Sequence, residues 1–394
     1  MYRKKQLDIL KNRMLEPRHF IQIVTGPRQV GKTTLIKQLI EELSLPITYF
    51  SADNVSHPYS NWIDLQWDIQ RTKFQTSDAK ECILVFDEIQ KISNWSEAIK
   101  KQWDKDSFES RNIKLILLGS SQMLLQKGIS ESLAGRFELI PFTQWSYTEM
   151  NKAFGFTELE YLWFGGYPGG AVLKNNEERW KEYILFSLIE PTLYKDILLT
   201  TKIDKPALLR NLFELGCSYS GQIVTFQKIL GQLDDAGNTT TISHYLSLLD
   251  VGGLLSGIEK YSKEKIRQRA SSPKWQVRDN ALLSVMSGKT FEQTVNDPVI
   301  FGRFVESVVG AHLLNSKKEN KINLYYWREG DKEVDYIMEY NNKIISIEIK
   351  SSVSKSSKGL YEFKKRYNPH KSLIIEKNGL QWNDLIKIDP RELF

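Results

Sequence analysis

Residues 20–40 read FIQIVTGPRQVGKTTLIKQLI: an apolar run, a glycine-rich turn, and a stretch with helical periodicity. Gly26, Gly31, Lys32 and Thr33 fit the pattern G-x-x-x-x-G-K-[ST], in the strand–turn–helix setting that this pattern requires. Few short motifs restrict a fold so strongly. The backbone of Gly26, Pro27, Arg28, Gln29, Val30 and Gly31 is expected to curl its N–H groups around phosphate oxygens, and the next helix aims its positive end at them. Lys32 then reaches the β- and γ-phosphates, the Thr33 hydroxyl holds Mg²⁺, and Thr34 continues the loop into the helix. The ligands predicted from this segment are ATP and Mg²⁺.

A second segment answers the first. ECILVFDEIQ, residues 81–90, is apolar throughout until Asp87-Glu88. A run that is apolar on both faces suits a central parallel strand, and α/β sheets bind ligands at the C-terminal ends of such strands. Asp87 is placed to orient Mg²⁺ through its water shell, and Glu88 to polarise the water that attacks the γ-phosphate. Surface acids at a strand end would explain either motif alone, but not both in this order. A third buried strand is expected in IKLILLGSSQ, residues 113–122.

From 151 to 204 the pattern is helical, broken at Gly165-Gly166-Tyr167-Pro168. Residues 205–285 read as a winged helix. TFQKILGQL forms a first helix, TTTISHYLSLLD a second, GGLLSGIEKY a strand, the basic run 259–269 a wing tip, and PKWQV the returning strand. Seven Lys or Arg against two Glu in 259–278 suit contact with nucleic-acid phosphate, or simply a solvated loop. The second helix presents Thr241, Ser243, His244 and Ser247 with no Arg or Lys, so it lacks the commonest base-reading side chains. DNA and protein partners both stay open for this module.

Near the C-terminus, VDYIMEYNNKIISIEIKSS has two alternating runs flanking Asn341-Asn342, a pair suited to a tight hairpin turn. That turn sets Asp335 opposite Glu348, a like-charge pair that is unfavourable when bare. Lys350 shares the face of Glu348, and Glu333 shares that of Asp335. A divalent cation bound between Asp335 and Glu348 would cancel the repulsion.

GPRQVGKTT, LVFDEIQ, SLAGR, GGYP, VDYI and EIKSS together resemble a family of prokaryotic AAA+ ATPases, related to signal-transducing ATPases, that end in a nuclease-like domain. The resemblance implies an α/β architecture: a P-loop ATPase core with a parallel sheet (1–150), a helical lid (151–204), a winged helix (205–285), and a C-terminal restriction-endonuclease-like domain (286–394). It assigns γ-phosphate sensing to Ser120 or Ser121. Arg136 becomes either the arginine that stabilises transferring charge or an ion-paired surface residue, with Arg28 a second candidate. Pro168 is placed beside the nucleotide base. Helix, hairpin, helix and strand after residue 286 follow the PD-(D/E)XK nuclease order, with Glu306, Asp335, Glu348 and Lys350 at its catalytic positions. Such terminal domains act either as nucleases or as binding modules. No apolar run approaches the length of a membrane span, and the two cysteines, Cys82 and Cys217, show no metal-ligand spacing. The expected setting is the cytoplasm, with no membrane partner and with oligomer formation open.

Overall fold

In the computed structural model, five strands pair in parallel in the order β2-β3-β4-β1-β5: β1 (Ile21–Thr25), β2 (Ile47–Ser51), β3 (Cys82–Asp87), β4 (Ile113–Gly119) and β5 (Phe137–Pro141). The structure describes residues 3–55, 59–119, 132–198, 203–234, 237–262, 271–350, 358–376 and 379–394. Two compact units divide the chain, Met1–Phe142 and Thr143–Phe394.

In the first unit β1, β3 and β4 are buried along their whole length, because helices cover both faces of the sheet. Leu84 and Phe86 pack with Trp67, Ile99 and Trp103 on one side. Ile83 and Val85 pack with Leu10, Leu35 and Leu39 on the other. The alternation along β3 thus feeds two separate cores, and its last residue, Asp87, emerges at the C-terminal edge of the sheet. The helix Lys32–Glu42 begins at Gly31, whose φ of 93° turns the chain from the loop into the helix.

The second unit is built on a six-stranded sheet in the order β11-β10-β9-β8-β6-β7: β6 (Leu255–Lys260), β7 (Lys274–Val277), β8 (Asn323–Glu329), β9 (Lys332–Tyr340), β10 (Lys343–Ile349) and β11 (Lys371–Ile375). Helices Phe226–Leu230 and Thr239–Val251 precede β6, the second capped by Asn238. The strand pair expected as a wing, β6 and β7, joins the sheet expected in the last hundred residues, because β6 runs parallel to β8. The Asn341-Asn342 turn forms with φ of 47° and 62°, fixing the register of β9 and β10 at Ile347↔Tyr336 and Lys343↔Tyr340.

The pairing of β8 with β9 is irregular at one point. Between Tyr325 and Trp327 the register shifts by a residue, from Tyr325↔Ile337 to Trp327↔Val334. Val334 and Ile337 both pack under helix Lys358–Tyr367 with Trp327 and Phe363. Asp335 and Tyr336, between them, are turned to the other face, as a β-bulge does. On that face lies helix Pro298–Asn320, capped by Asp297.

The Gly165-Gly166-Tyr167-Pro168 turn is held within the second unit. Gly166 N–H donates to Asp279 Oδ2 at 2.8 Å, and a side chain at Gly165 would strike Asp279 Oδ1. Pro168 opens the short helix Pro168–Leu173.

Candidate functional site

At the C-terminal edge of the parallel sheet, Thr33 Oγ1 donates to Asp87 Oδ2 at 3.1 Å. Tyr49, from the neighbouring strand β2, donates to the same oxygen at 2.5 Å. Burial, and then this bond to Asp87, push the Tyr49 phenol well above its ordinary value. Asp87 Oδ1 accepts the Glu88 N–H at 2.9 Å. Glu88 adopts the left-handed backbone (φ 51°) and stands half-buried beside Gln90, which donates to Glu88 Oε2 at 2.5 Å. These contacts hold Asp87 against Thr33 and Glu88 against Gln90.

Lys32 is buried, and its ammonium donates to Gly26 O at 2.9 Å and Pro27 O at 2.6 Å. It therefore lies folded over the loop, a cation placed among carbonyls. Gln29 (φ 57°) and Gly31 (φ 93°) give the loop its curl. Gly26 is needed for a different reason: a Cβ there would come within 2.6 Å of the Phe142 backbone oxygen. Val30 is anchored in the core, while Arg28 is half-buried and Thr34 is exposed. The donor set suits a nucleotide with Mg²⁺. A hydroxyl and a carboxylate, both hard oxygen ligands, already meet, and an ammonium lies on the loop beside them. Bound there, Mg²⁺·ATP would supply the phosphoanhydride and the Lewis acid, held by Lys32, Thr33, Asp87 and the loop backbone.

Arg136 forms a two-pronged ion pair with Asp104, at 2.8 and 3.0 Å, which raises its already high pKa. In this conformation the residue is ion-paired within its own unit. Ser120 and Ser121 lie outside the described residues. Pro168 sits among residues of the second unit.

In the second unit Asp335 and Glu306 converge, but on a cation that sequence reasoning passed over. Lys274, in β7, has no exposed side-chain surface. Its ammonium lies 2.8 Å from Glu306 Oε1, 3.3 Å from Asp335 Oδ1 and 3.9 Å from Glu333 Oε1, and 4.6 Å from the centre of the Tyr336 ring. Burial pulls the Lys274 pKa down, yet Glu306 and Asp335 together hold it well above the ordinary value. Burial pushes Glu306 and Glu333 up against the pull of the same ammonium. Lys274 thus meets both Asp335 and Glu306, and it lies outside the expected set of Glu306, Asp335, Glu348 and Lys350.

The β9–β10 ladder closes at Ile347↔Tyr336, one pair short of Asp335 and Glu348. Beyond it Asp335 Oδ2 accepts the Ile349 N–H at 2.7 Å, and the Lys350 N–H turns to Ile375 O on β11 at 2.9 Å. Asp335, expected as a metal ligand, bonds Lys274 and Ile349 in this structure. Among the described residues, no three acidic, histidine or cysteine side chains are arranged, as they stand with Lys274 in place, as a metal site.

Comparison with known proteins finds a match for the segment that carries the first site. Residues 18–151 match a family model described as an AAA domain; residues 157–293 and 301–385 match two domains of unknown function, DUF8612 and DUF4143. An uncharacterized protein of Mycobacterium tuberculosis is 26% identical over 344 residues, 85% of this chain and 71% of that protein. An uncharacterized protein of Methanocaldococcus jannaschii is 24% identical over 352 residues, 82% of this chain and 73% of the other. Among solved structures, the Walker-type ATPase of Pyrococcus abyssi aligns with a TM-score of 0.50 at 15% identity, covering 72% of this chain and 95% of that one. No helix among the described residues is long and apolar enough to cross a membrane. Residues 18–151 are therefore similar to an AAA domain and share the fold of a Walker-type ATPase, with the Gly26–Gly31 turn and the acidic end of β3 at one edge of the sheet.

Proposed function

We propose that this protein is a Mg²⁺-dependent ATPase whose nucleotide state controls a DNA-directed, nuclease-like C-terminal module. The observation that carries the first half is the meeting of Thr33 and Asp87, with Glu88 next to Asp87 at the strand end. Lys32 and the loop backbone bind the triphosphate, Thr33 and Asp87 orient the metal, and Glu88 takes the proton of the attacking water. In ATP hydrolysis assays, Lys32→Ala should lose nucleotide binding. Glu88→Gln should keep binding and lose at least about a hundredfold in turnover, the range of a general base. A Glu88→Gln protein with wild-type turnover would remove Glu88 from this role.

The second half rests on the order Glu306, Asp335, Glu348-x-Lys350 and on the convergence of Glu306 and Asp335. The two helices before β6, with the β6–β7 pair, support the winged-helix reading. Exposed Ser243, His244 and Ser247 on the second helix suit a reader of shape or backbone more than of base sequence. The alternative, an ATP-driven switch whose terminal module binds partners and cuts nothing, is favoured by one observation: the Lys274 ammonium between the carboxylates. Incubation of linear and supercoiled DNA with Mn²⁺ or Mg²⁺, with and without ATP, decides between them. Metal-dependent cuts that Asp335→Asn abolishes support a nuclease; intact DNA under every condition supports the switch.

A further inference from the structure

We propose that Lys274 is the resident cation of the C-terminal carboxylate cluster, occupying with its ammonium the place of a divalent ion. In the form seen here the cluster takes up no metal, and β7 acts as the lock. The inference rests on the nuclease-like reading of Glu306 and Asp335, and it says what keeps that site closed.

Geometry carries it. The ammonium reaches three carboxylates, Glu306, Asp335 and Glu333, within 4 Å. The other oxygen of Asp335 is taken by Ile349 N–H. The side chains of Asp335, Glu306 and Glu333 keep 17%, 29% and 36% exposure, whereas Lys274 keeps none. Lys274 therefore lies beneath the carboxylates, and substrate arriving from solvent meets the acids first. A lysine that touched the reacting phosphate would have to lie on the open side, so Lys274 is a counterion and not a catalytic residue.

Nor is this ammonium a loose side chain that rotates away. β7 pairs with β6 on one edge, and on the other Gly221 N–H donates to Trp275 O and Trp275 N–H to Gln222 O, each at 2.8 Å. Gln276, two residues on, donates to Ser307 O at 2.9 Å and accepts from the Tyr336 hydroxyl at 3.1 Å. Ser307 follows Glu306 on its helix, and Tyr336 follows Asp335 on β9. The same strand thus grips both carboxylate-bearing elements, and freeing the cluster requires β7 itself to move.

Mn²⁺ is the probe, read by electron paramagnetic resonance and by thermal melting of the nucleotide-free full chain, in an Asp87→Asn background that silences the ATPase site. With Lys274 native, bound Mn²⁺ should equal that of the Asp335→Asn variant, and the midpoint should not respond to Mn²⁺. Lys274→Met should lower the midpoint, gain one Mn²⁺ per chain that Asp335→Asn removes, and recover several degrees when Mn²⁺ is added. A Mn²⁺ held by the chain with Lys274 intact and lost in Asp335→Asn overturns the proposal. So does a folded Lys274→Met protein that ignores Mn²⁺. If Lys274→Met fails to fold, the comparison with Lys274 intact decides alone. Neither readout uses cleavage. The nuclease reading is tested apart from them: Mn²⁺ gained by Lys274→Met, with DNA left intact by the same variant carrying native Asp87 and ATP, sinks the nuclease reading and keeps the lock, whereas Mn²⁺ bound beside native Lys274 sinks the lock and keeps that reading.

Discussion

Single residues show where sequence reading ends. Lys32, Thr33, Asp87 and Glu88 are legible because their roles depend on backbone elements a few residues long, and the motif carries its own context. Tyr49 is not. It lies in ITYFS, a strand with nothing to mark it, and reaches Asp87 only because β2 pairs with β3. Its hydroxyl and that of Thr33 bond the same carboxylate oxygen, so in the proposed ATPase Tyr49 would fix the orientation in which Asp87 meets the metal. Groups that orient a metal's ligands are typically worth about 10–100-fold in affinity or activity. Tyr49→Phe should therefore leave ATP binding without metal unchanged and raise the Mg²⁺ concentration needed for half-maximal hydrolysis by roughly tenfold. Hydrolysis titrated with Mg²⁺ at saturating ATP checks this, and an unchanged midpoint would show that Asp87 needs no such support. Lys274 was missed for the opposite reason. A lysine in a basic stretch is usually solvated, and only the fold reveals that acids from a helix and another strand surround it.

At the level of elements, the hairpin was the most legible part and the bulge the least. Asn341-Asn342 announces both turn and register, since the left-handed conformation suits few other residues. The shift between β8 and β9 leaves no such mark, yet it decides that Asp335 and Tyr336 face helix Pro298–Asn320. That helix comes close because Gly310 has no side chain. A Cβ there would lie 2.1 Å from Gln276 Oε1 and 2.2 Å from the Tyr336 hydroxyl. Both atoms belong to a buried network: Tyr336 also donates to Glu306 O at 3.2 Å, and Gln276 has no exposed surface. Yielding would therefore break bonds as well as crowd atoms. Gly310→Ala should destabilise the second unit by about 1–3 kcal/mol despite alanine's better helix propensity, the usual cost of overpacking. Urea denaturation followed by tryptophan fluorescence measures it; a variant as stable as wild type would mean that the helix docks with slack to spare.

The whole chain holds two units with separate cores, the first built on both faces of the parallel sheet and the second on the six-stranded one. Length and the run of motifs made a multi-domain chain legible, but not the shared sheet that ties the β6–β7 pair to the terminal strands, because β6 and β8 are neighbours only across a long stretch of sequence. Two cores allow two unfolding transitions, and a ligand that binds only the native first unit raises only the first unless the units are coupled. Control of the second unit by nucleotide requires that coupling, since a ligand shifts an equilibrium only by its differential affinity for the two states. Scanning calorimetry of the full-length Glu88→Gln protein, which should hold ATP without consuming it, separates these cases. Mg²⁺·ATP at a hundred times its dissociation constant supplies about 2.7 kcal/mol to the unit that binds it, enough to raise that transition by several degrees. If ATP governs the terminal module, the second transition must shift as well, in either direction, and Lys32→Ala must abolish both shifts. A second transition that stays in place while the first rises would leave the ATPase reading intact and rule out control of the second unit by bound ATP.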